Sequence, residues 1–312
     1  MFFRSKNKTK LTDYIIRFVS QSRRVETYKC NYRILISHLE RFEKHAGTVI
    51  CIENFSQKIA EDFLHYLETK GHIGGCAEKR GGLMKSTIRT YFDKLNVVLK
   101  RAKHDGYKTA DISGLEVQSE DSNAIYLTIS ELKKLNELKE LSVKDKSVRD
   151  MFLVGCFTAL RFSDYSKITK ENIVGSNIVV KTRKTGEPVI IPIHPVIREI
   201  LDRNNGDFPK LKSGRPFNLI LKRICKKAKI DAEILYERTV GTEVVRKRMK
   251  KYELVSSHTA RRSGATNMYL AKIPTARIML LTGHKTEQAF FKYIRIGKEE
   301  NAKILSEHAF FK

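Results

Sequence analysis

The sequence predicts a mainly α protein with small β-hairpins, in which a helical bundle is followed by an α+β domain. Through the first hundred residues, apolar side chains recur at spacings of three and four, which is the period of a helix with one buried face. Residues 111–124 are polar and rich in turn formers, as is typical of a linker. Beyond them, short β-branched runs alternate with helical patterns. We therefore assign residues 1–110 to the bundle, 111–124 to a linker and 125–312 to the second domain.

The bundle is predicted from its apolar periodicity and from a candidate cap. Residues 11–45 and 59–69 show helical spacing, and Ser86 is a candidate N-cap for a further helix. A glycine-rich segment with a basic tip, residues 71–82, precedes that helix. Together these stretches predict four helices and one basic loop.

The second domain begins with a helix-start signal and a buried helix. Thr128 and Glu131 form the pattern of a capping box, so a new helix is expected after residue 128. The apolar run 151–160 predicts a helix that ends just before Arg161. Asp164 follows three residues later, and we expect it to orient that arginine.

Four β-rich runs predict two hairpins in the second domain. Residues 177–182 and 188–193 enclose the turn sequence R-K-T-G-E, which favours a first hairpin. Residues 233–240 and 243–250 lie on either side of Gly241, which favours a second.

The charge balance indicates a polyanionic partner. Of 312 residues, 60 are Lys or Arg and 35 are Asp or Glu, which gives a net charge of +25. Residues 1–114 hold 22 basic and 12 acidic residues, and the remainder holds 38 and 23, so both parts are basic. Nucleic acid is the first candidate for such a partner. A membrane surface would call for a basic amphipathic helix or a lipid anchor, and the sequence shows neither.

Cysteine usage and hydropathy indicate the cellular compartment of the protein. The five cysteines are scattered and never spaced C-x-x-C, which argues for a reducing compartment and against a zinc site. The longest apolar run, 151–160, is too short to cross a bilayer, and the N-terminus lacks the apolar core of a signal peptide. We expect a cytoplasmic protein with no membrane segment, no metal and no cofactor.

The residues best suited to chemistry lie near the C-terminus. His258 and Arg261 are three residues apart at the start of a predicted helix, so both side chains share one face. His284 follows Gly283, at which a helix would end, and Tyr293 lies nine residues later. This set suits one phosphate, because the arginine and the histidines donate hydrogen bonds to it and the phenol can attack the phosphorus.

These motifs resemble those of a known family. H-T-A-R, T-G-H and the later tyrosine, with A-L-R-F-S-D around Arg161, resemble the signature of the tyrosine recombinases, the phage-integrase family, and especially its bacterial mobile-element integrases and invertases. The resemblance implies a SAM-like core-binding bundle before a tyrosine-recombinase catalytic domain. It also implies six catalytic residues, with the tyrosine as nucleophile: Arg161, Lys184, His258, Arg261, His284 and Tyr293. In the family a lysine in the first hairpin is the general acid; Lys184 is the best match, with Lys181 and Arg183 as close alternatives.

The resemblance further implies a function and an assembly. It predicts a site-specific recombinase that cuts and rejoins double-stranded DNA through a 3′-phosphotyrosine, without metal or ATP. It predicts four protomers on two DNA sites, with a C-terminal helix, residues 297–312, packed on a neighbouring protomer. DNA contacts are expected from basic residues of the bundle and the first hairpin: Lys79, Arg80, Lys85, Arg89, Lys181 and Arg183. A type IB topoisomerase, which reseals the same strand, and a catalytically silent DNA-binding regulator are the alternatives.

Overall fold

The computed structural model separates the chain into two units. One comprises residues Met1–Asn123 with Tyr236–Lys247, and the other comprises Ala124–Leu235 with Arg248–Lys312. The structure describes residues 8–72, 81–115, 117, 124–183, 186–210, 217–297, 301–302, 305–307 and 309–311. No helix within these ranges is long and apolar enough to cross a membrane.

Helices build the first unit, as the apolar spacing predicts. The described residues form α1 (Leu11–Ser20), α2 (Glu26–Ala46), α3 (Gln57–Lys70) and α4 (Lys85–His104), which share one apolar core. Helix α4 begins one residue before the predicted cap Ser86, with Met84 at the N-cap.

The stretch predicted as helical from 11 to 45 is interrupted after α1. The Ser20 hydroxyl donates to the Arg17 carbonyl, and the Ser22 hydroxyl accepts the Arg24 N–H. Two serines therefore bind backbone groups that a continuous helix would use, which is how serine competes with helix formation.

The second predicted hairpin forms with its predicted bounds and contributes to both units. It consists of β4 (Glu233–Val240) and β5 (Glu243–Lys250). Its tip, Tyr236–Lys247, belongs to the first unit: the Gly241 N–H donates to the Leu83 carbonyl at 2.9 Å, and Val240 forms a β-bridge with Met84. The hairpin tip thus extends the bundle at the residues that precede α4.

The first hairpin lies in a three-stranded antiparallel sheet of the second unit. Strand β2 (Asn177–Lys181) pairs with β3 (Pro188–Pro192), and a two-residue strand β1 (Ile173–Val174) lies on its other edge. The register sets Ile178 opposite Ile191 and Val180 opposite Val189, and all four side chains are buried on the same face. Strand β1 is too short to leave a periodic signal in the sequence.

Helices surround this sheet and enclose the second core. In chain order they are α5 (Ile129–Glu137), α6 (Val143–Thr158), α7 (Phe162–Tyr165), α8 (Pro195–Arg203), α9 (Phe217–Lys227), α10 (Lys251–Leu254), α11 (Ser257–Leu270), α12 (Thr275–Thr282) and α13 (Glu287–Phe291). The predicted capping box is present at the start of α5, where Thr128 Oγ1 accepts the Glu131 N–H and the Glu131 carboxylate accepts the Thr128 N–H. The predicted fold class, mainly α with small β-hairpins, is confirmed.

Two helices meet closely at the centre of the second unit. A Cβ atom on Gly264 of α11 would lie 2.4 Å from the Cys156 carbonyl oxygen and 2.8 Å from the Ala159 Cβ. The end of α6 and the middle of α11 are therefore in backbone contact, and only glycine fits at that position. Ala159, which ends α6, adopts a left-handed conformation with φ of 52°.

We predict that Gly264→Ala lowers the free energy of unfolding by about 1–3 kcal/mol, because the added methyl group forces two packed backbones apart. This loss outweighs the gain of about 1 kcal/mol in helix propensity. Urea unfolding measures the change. The control is Gly297→Ala, since a Cβ there meets nothing within 4 Å. Equal stability of the two variants would show that α6 and α11 can separate freely.

Candidate active site

Arg161 follows the left-handed end of α6 and carries a free guanidinium. It is the N-cap of α7 and has extended backbone angles, with φ of −72° and ψ of 152°. Its Nη1 atom is buried and has no hydrogen-bond partner, and no described carboxylate lies within ion-pair distance of it. A buried N–H without a protein acceptor is uncommon in folded proteins, and this one is available to a ligand.

Asp164 does not orient Arg161, so that expectation is wrong. Arg161 is extended whereas Asp164 is helical, and the two side chains form no ion pair. Instead, Asp164 is buried, and its Oδ1 atom accepts the backbone N–H of Arg183 at 3.0 Å. The carboxylate therefore fixes the start of the β2–β3 turn beside the Arg161 loop.

The β2–β3 turn is fixed at both of its ends. The Thr182 N–H and hydroxyl both donate to the Glu187 carbonyl, at 2.9 and 3.0 Å, and the Gly186 N–H donates to the Thr182 carbonyl at 2.8 Å. Lys285, next to His284, forms an ion pair with Glu187 at 3.2 Å. Lys184 lies outside the described residues.

Arg261 is the largest fully buried side chain of the second unit, with 1% of its surface exposed. Its Nη1 atom donates to the Ala159 carbonyl at 3.0 Å, and its Nη2 atom donates to the Thr282 carbonyl at 2.9 Å and to His284 Nε2 at 2.8 Å. Burial and then the charge of Arg161 lower the pKa of Arg261 to about 10, so the guanidinium stays charged at neutral pH. Its Nε atom is buried without a partner.

His284 is held in one neutral tautomer by its neighbours. Because Nε2 accepts from Arg261, the proton of the neutral ring is on Nδ1, which lies 2.7 Å from the Thr282 hydroxyl. That hydroxyl in turn donates to the Ile278 carbonyl at 2.8 Å. Burial, followed by the charges of Arg261 and Arg161, lowers the pKa of His284 to about 4. In this state the ring accepts a hydrogen bond at Nε2, and it donates one there only after protonation.

Tyr293 lies beside both of these residues in the same chain. Its ring centre is 5.0 Å from the guanidinium carbon of Arg261, within the range of a cation–π contact, and 4.9 Å from the ring centre of His284. The ring is half-buried in a small apolar cluster that contains Phe290 of α13. The predicted turn at Gly283 is present, with φ of 67°, and it returns the chain from α12 toward this cluster.

His258 lies on the first turn of α11. Ser256 is the N-cap, and its N–H donates to the Thr259 hydroxyl at 3.0 Å. Partial desolvation, followed by the charges of Arg262, Arg261 and Arg161, lowers the pKa of His258. The ring is therefore neutral at neutral pH, and it retains an edge exposed to solvent.

The structure brings five of the six predicted catalytic residues together, and Lys184 is the one outside its described residues. The Arg161 charge acts on three members of the group, because it lowers the pKa of His258, Arg261 and His284. The predicted DNA contacts are more dispersed. Lys181 and Arg183 are exposed on the first hairpin, Lys85 and Arg89 lie one turn apart on α4 in the other unit, and Lys79 and Arg80 are outside the described residues.

Two further residues matter to the site and were missed from the sequence. The Ala159 carbonyl binds Arg261, and the Thr282 hydroxyl fixes the tautomer of His284. The threonine of T-G-H is adjacent to the motif and could have been singled out. No signal in the sequence indicates that an alanine adopts a left-handed conformation.

The lowered pKa of His284 predicts a pH effect. The folded state resists protonation whereas the unfolded state protonates near pH 6.5, so this residue's contribution to stability is lost as pH falls from about 6.5 to 4. In that pH range, the unsubstituted chain takes up protons when it unfolds, and His284→Gln should take up as much as one proton fewer. Urea unfolding at several pH values measures the difference, and His38, whose pKa burial lowers to about 4, remains in both proteins. A difference that is constant with pH would contradict the prediction.

Two family models match the chain. The phage integrase SAM-like domain model matches residues 10–114, and the phage integrase family model matches residues 126–300. No curated protein matches the chain significantly.

Solved structures share the fold at low sequence identity. A lambda integrase dimer bound to a COC' core site has a TM-score of 0.68 at 16% identity, over 92% of this chain and 96% of the other. A lambda integrase tetramer bound to a Holliday junction has 0.63 at 18%, over 91% and 80%. The Tn1549 transposon integrase with circular intermediate DNA has 0.62 at 14%, over 96% and 100%. Because the family model covers more than half of the sequence and the fold agrees, the chain belongs to the phage integrase family, the tyrosine site-specific recombinases.

Proposed function

We propose that the chain cuts and rejoins DNA at specific sites by transferring a DNA 3′ phosphate to Tyr293. The main support is Arg161. Its Nη1 atom is buried without a hydrogen-bond partner, and its positive charge acts on the nearby Arg261. Like charges close together destabilise each other unless an anion lies between them. Neither guanidinium has an ion-pair partner among the described residues, so both can bind the same phosphate.

The two arginines supply donors for a single phosphate. Arg161 Nη1 and Arg261 Nε are both buried and unpartnered, whereas both terminal nitrogens of Arg261 are already bound to the protein. Attack on a phosphodiester increases the negative charge on its nonbridging oxygens. Fixed cations offset that charge without reorganising, which is the main source of such catalysis. We assign Arg161 and Arg261 this role, and on this account the reaction needs no metal and no ATP.

The attacking phenol has to lose its proton, and we assign His258 as the acceptor. A phenol has an ordinary pKa of about 10, so a nearby base assists it at neutral pH. Both nitrogens of His284 are engaged, with Arg261 and with Thr282. His258 has a lowered pKa and an exposed ring edge, so it is neutral and able to accept a proton.

The leaving 5′ oxygen requires a proton, and we assign its donation to Lys184. As the Tyr293 oxygen bonds to phosphorus, the bond from phosphorus to the 5′ oxygen breaks and the lysine ammonium protonates that oxygen. The bond from Asp164 to the Arg183 N–H supports this assignment, because it fixes the neighbouring backbone beside Arg161. Lys181 and Arg183 remain the alternatives.

Rejoining and assembly follow from the covalent intermediate. The 3′-phosphotyrosine retains the energy of the broken bond, so a 5′-hydroxyl from a second duplex can displace Tyr293 and exchange strands. We propose that four protomers act on two sites, as in the lambda integrase tetramer on a Holliday junction. Exposed apolar residues of the tail support its docking on a neighbouring protomer: Leu305, Phe310 and Phe311.

We propose that basic residues of the bundle and of the first hairpin bind the DNA backbone. Lys85 and Arg89 share one face of α4, and Lys181 and Arg183 extend from the first hairpin. Lys79 and Arg80 complete the set. Contacts of this kind position the duplex without reading its sequence.

Tyr293→Phe tests the nucleophile. The substitution removes the attacking oxygen and little volume, so DNA binding should persist while covalent adducts on a nicked suicide substrate disappear. Denaturing gels measure the adduct, and gel shifts measure binding. An adduct formed by Tyr293→Phe would identify another tyrosine as the nucleophile. If the unsubstituted chain binds DNA but forms no adduct, it is a silent regulator instead.

Lys184→Ala tests the general acid. Sulfur in place of the bridging 5′ oxygen leaves as a thiolate, which needs no proton, so this variant should cleave 5′-thio DNA nearly as well as the unsubstituted chain and ordinary DNA roughly 100-fold more slowly. Arg161→Ala is the control and should fail on both substrates, because its charge is needed at the nonbridging oxygens. Equal defects of Lys184→Ala on both substrates would exclude proton donation, and rescue of Lys181→Ala would move the role to that residue.

A further inference from the structure

The hydroxyl of Thr266, in the middle of α11, bonds outside its own helix. The side chain is fully buried, and Oγ1 donates to the Tyr293 carbonyl at 3.3 Å and accepts the Arg295 N–H at 3.2 Å. One hydroxyl therefore binds the backbone on both sides of Ile294. We propose that Thr266 is a positioning residue that holds the Tyr293 segment in register with Arg261, an inference that rests on Tyr293 being the nucleophile.

This bonding pattern differs from that of the other buried hydroxyls near the site. Thr158 donates to the Val154 carbonyl and Thr282 donates to the Ile278 carbonyl, each four residues back in its own helix. A helical threonine or serine ordinarily makes that bond. Thr266 makes its bonds to a separate segment instead, so its hydroxyl contributes to tertiary structure rather than to the helix.

The Tyr293 segment packs outside the main apolar core of its unit. Its apolar contacts belong to a small cluster whose buried members are Ala265, Ile278 and Phe290, separate from the main core. Segments with few buried contacts open more readily than the core. The Thr266 bonds therefore add two polar restraints to these apolar contacts.

Thr266 restrains the backbone of Tyr293. A nucleophile requires a fixed position relative to the atom that it attacks. The Tyr293 N–H donates to the Phe290 carbonyl at 2.8 Å, and its carbonyl accepts from Thr266, so both peptide groups of the residue are fixed. The ring itself contacts Arg261 and His284. Arg161 and Arg261 together form the proposed phosphate clamp. Because Thr266 and Arg261 lie on the same helix, the hydroxyl sets the position of the phenol relative to this clamp.

The expected effect is on the rate of attack rather than on DNA affinity. A misplacement of about 1 Å of a reacting group costs up to roughly 100-fold in rate. Thr266→Val keeps the side-chain shape and removes the hydroxyl, so we expect adduct formation on a suicide substrate to slow roughly 10- to 100-fold with DNA affinity within about twofold. Thr266→Ser restores the hydroxyl, and its rate should lie within about threefold of that of the unsubstituted chain.

The matched control is Ser263→Ala. Ser263 is also a buried hydroxyl of α11, and it bonds the Leu127 N–H at 2.8 Å, away from Tyr293. Its loss should leave the single-turnover rate within about threefold of the unsubstituted value. Three results would each overturn the proposal. Thr266→Val could react within twofold of the unsubstituted rate, Ser263→Ala could slow the reaction equally, or Thr266→Ser could fail to restore the rate.

Amide hydrogen exchange without DNA tests the same restraint independently of activity. Thr266→Val should speed exchange at the Arg295 amide about tenfold and leave the Leu127 amide unchanged. Unchanged exchange at Arg295 would overturn the proposal even if Tyr293 forms adducts. If Thr266→Val speeds exchange at the Arg295 amide but the unsubstituted chain forms no adduct at Tyr293, the proposed restraint is supported and the proposed function is refuted.

Discussion

The Arg261 guanidinium is buried, and two of its three protein acceptors are carbonyl groups at helix C-termini, Ala159 at the end of α6 and Thr282 at the end of α12. The last carbonyls of a helix carry partial negative charge and lack partners within the helix. They therefore stabilise a buried cation without cancelling its charge. A carboxylate in their place would neutralise the charge that a phosphate requires. This one side chain therefore contacts both helix ends, His284 and the Tyr293 ring.

Placing Arg261 in this way imposes constraints elsewhere. Helix α11 has to approach the end of α6 closely enough for the Ala159 bond, and Gly264 permits that approach. The charges of Arg161 and Arg261 disfavour each other, and burial followed by nearby arginine charges lowers the pKa of His258 and His284. This arrangement costs folding stability in the free protein, and a bound anion restores it, so DNA should stabilise the second unit. The site is destabilised in the absence of its ligand, as is common at functional sites.

Much of the fold was predictable, because its signals are local. Hairpin bounds followed from β-branched runs around glycine turns, and the start of α5 followed from Thr128 and Glu131. The site candidates followed from the order and spacing of His258, Arg261, His284 and Tyr293. The role of Asp164 was predicted wrongly, because its spacing from Arg161 implies a shared helical face only if both residues are helical. The bonds of Thr266 could not be predicted, since they join segments that the sequence separates.

The central claim is that the phosphate clamp and the nucleophile belong to one chain, because Arg261 lies 5.0 Å from the Tyr293 ring. A complementation experiment tests it directly, with Arg161→Ala mixed with Tyr293→Phe on a suicide substrate. Arg161 makes no side-chain bond within the described residues, so its removal should leave the fold intact. One partner then retains the tyrosine but lacks Arg161, and the other retains both arginines but lacks the tyrosine hydroxyl. We predict no adduct above the level of either variant alone. Recovery of adduct in the mixture would mean that Tyr293 acts on a phosphate held by a neighbouring protomer, and would contradict the account.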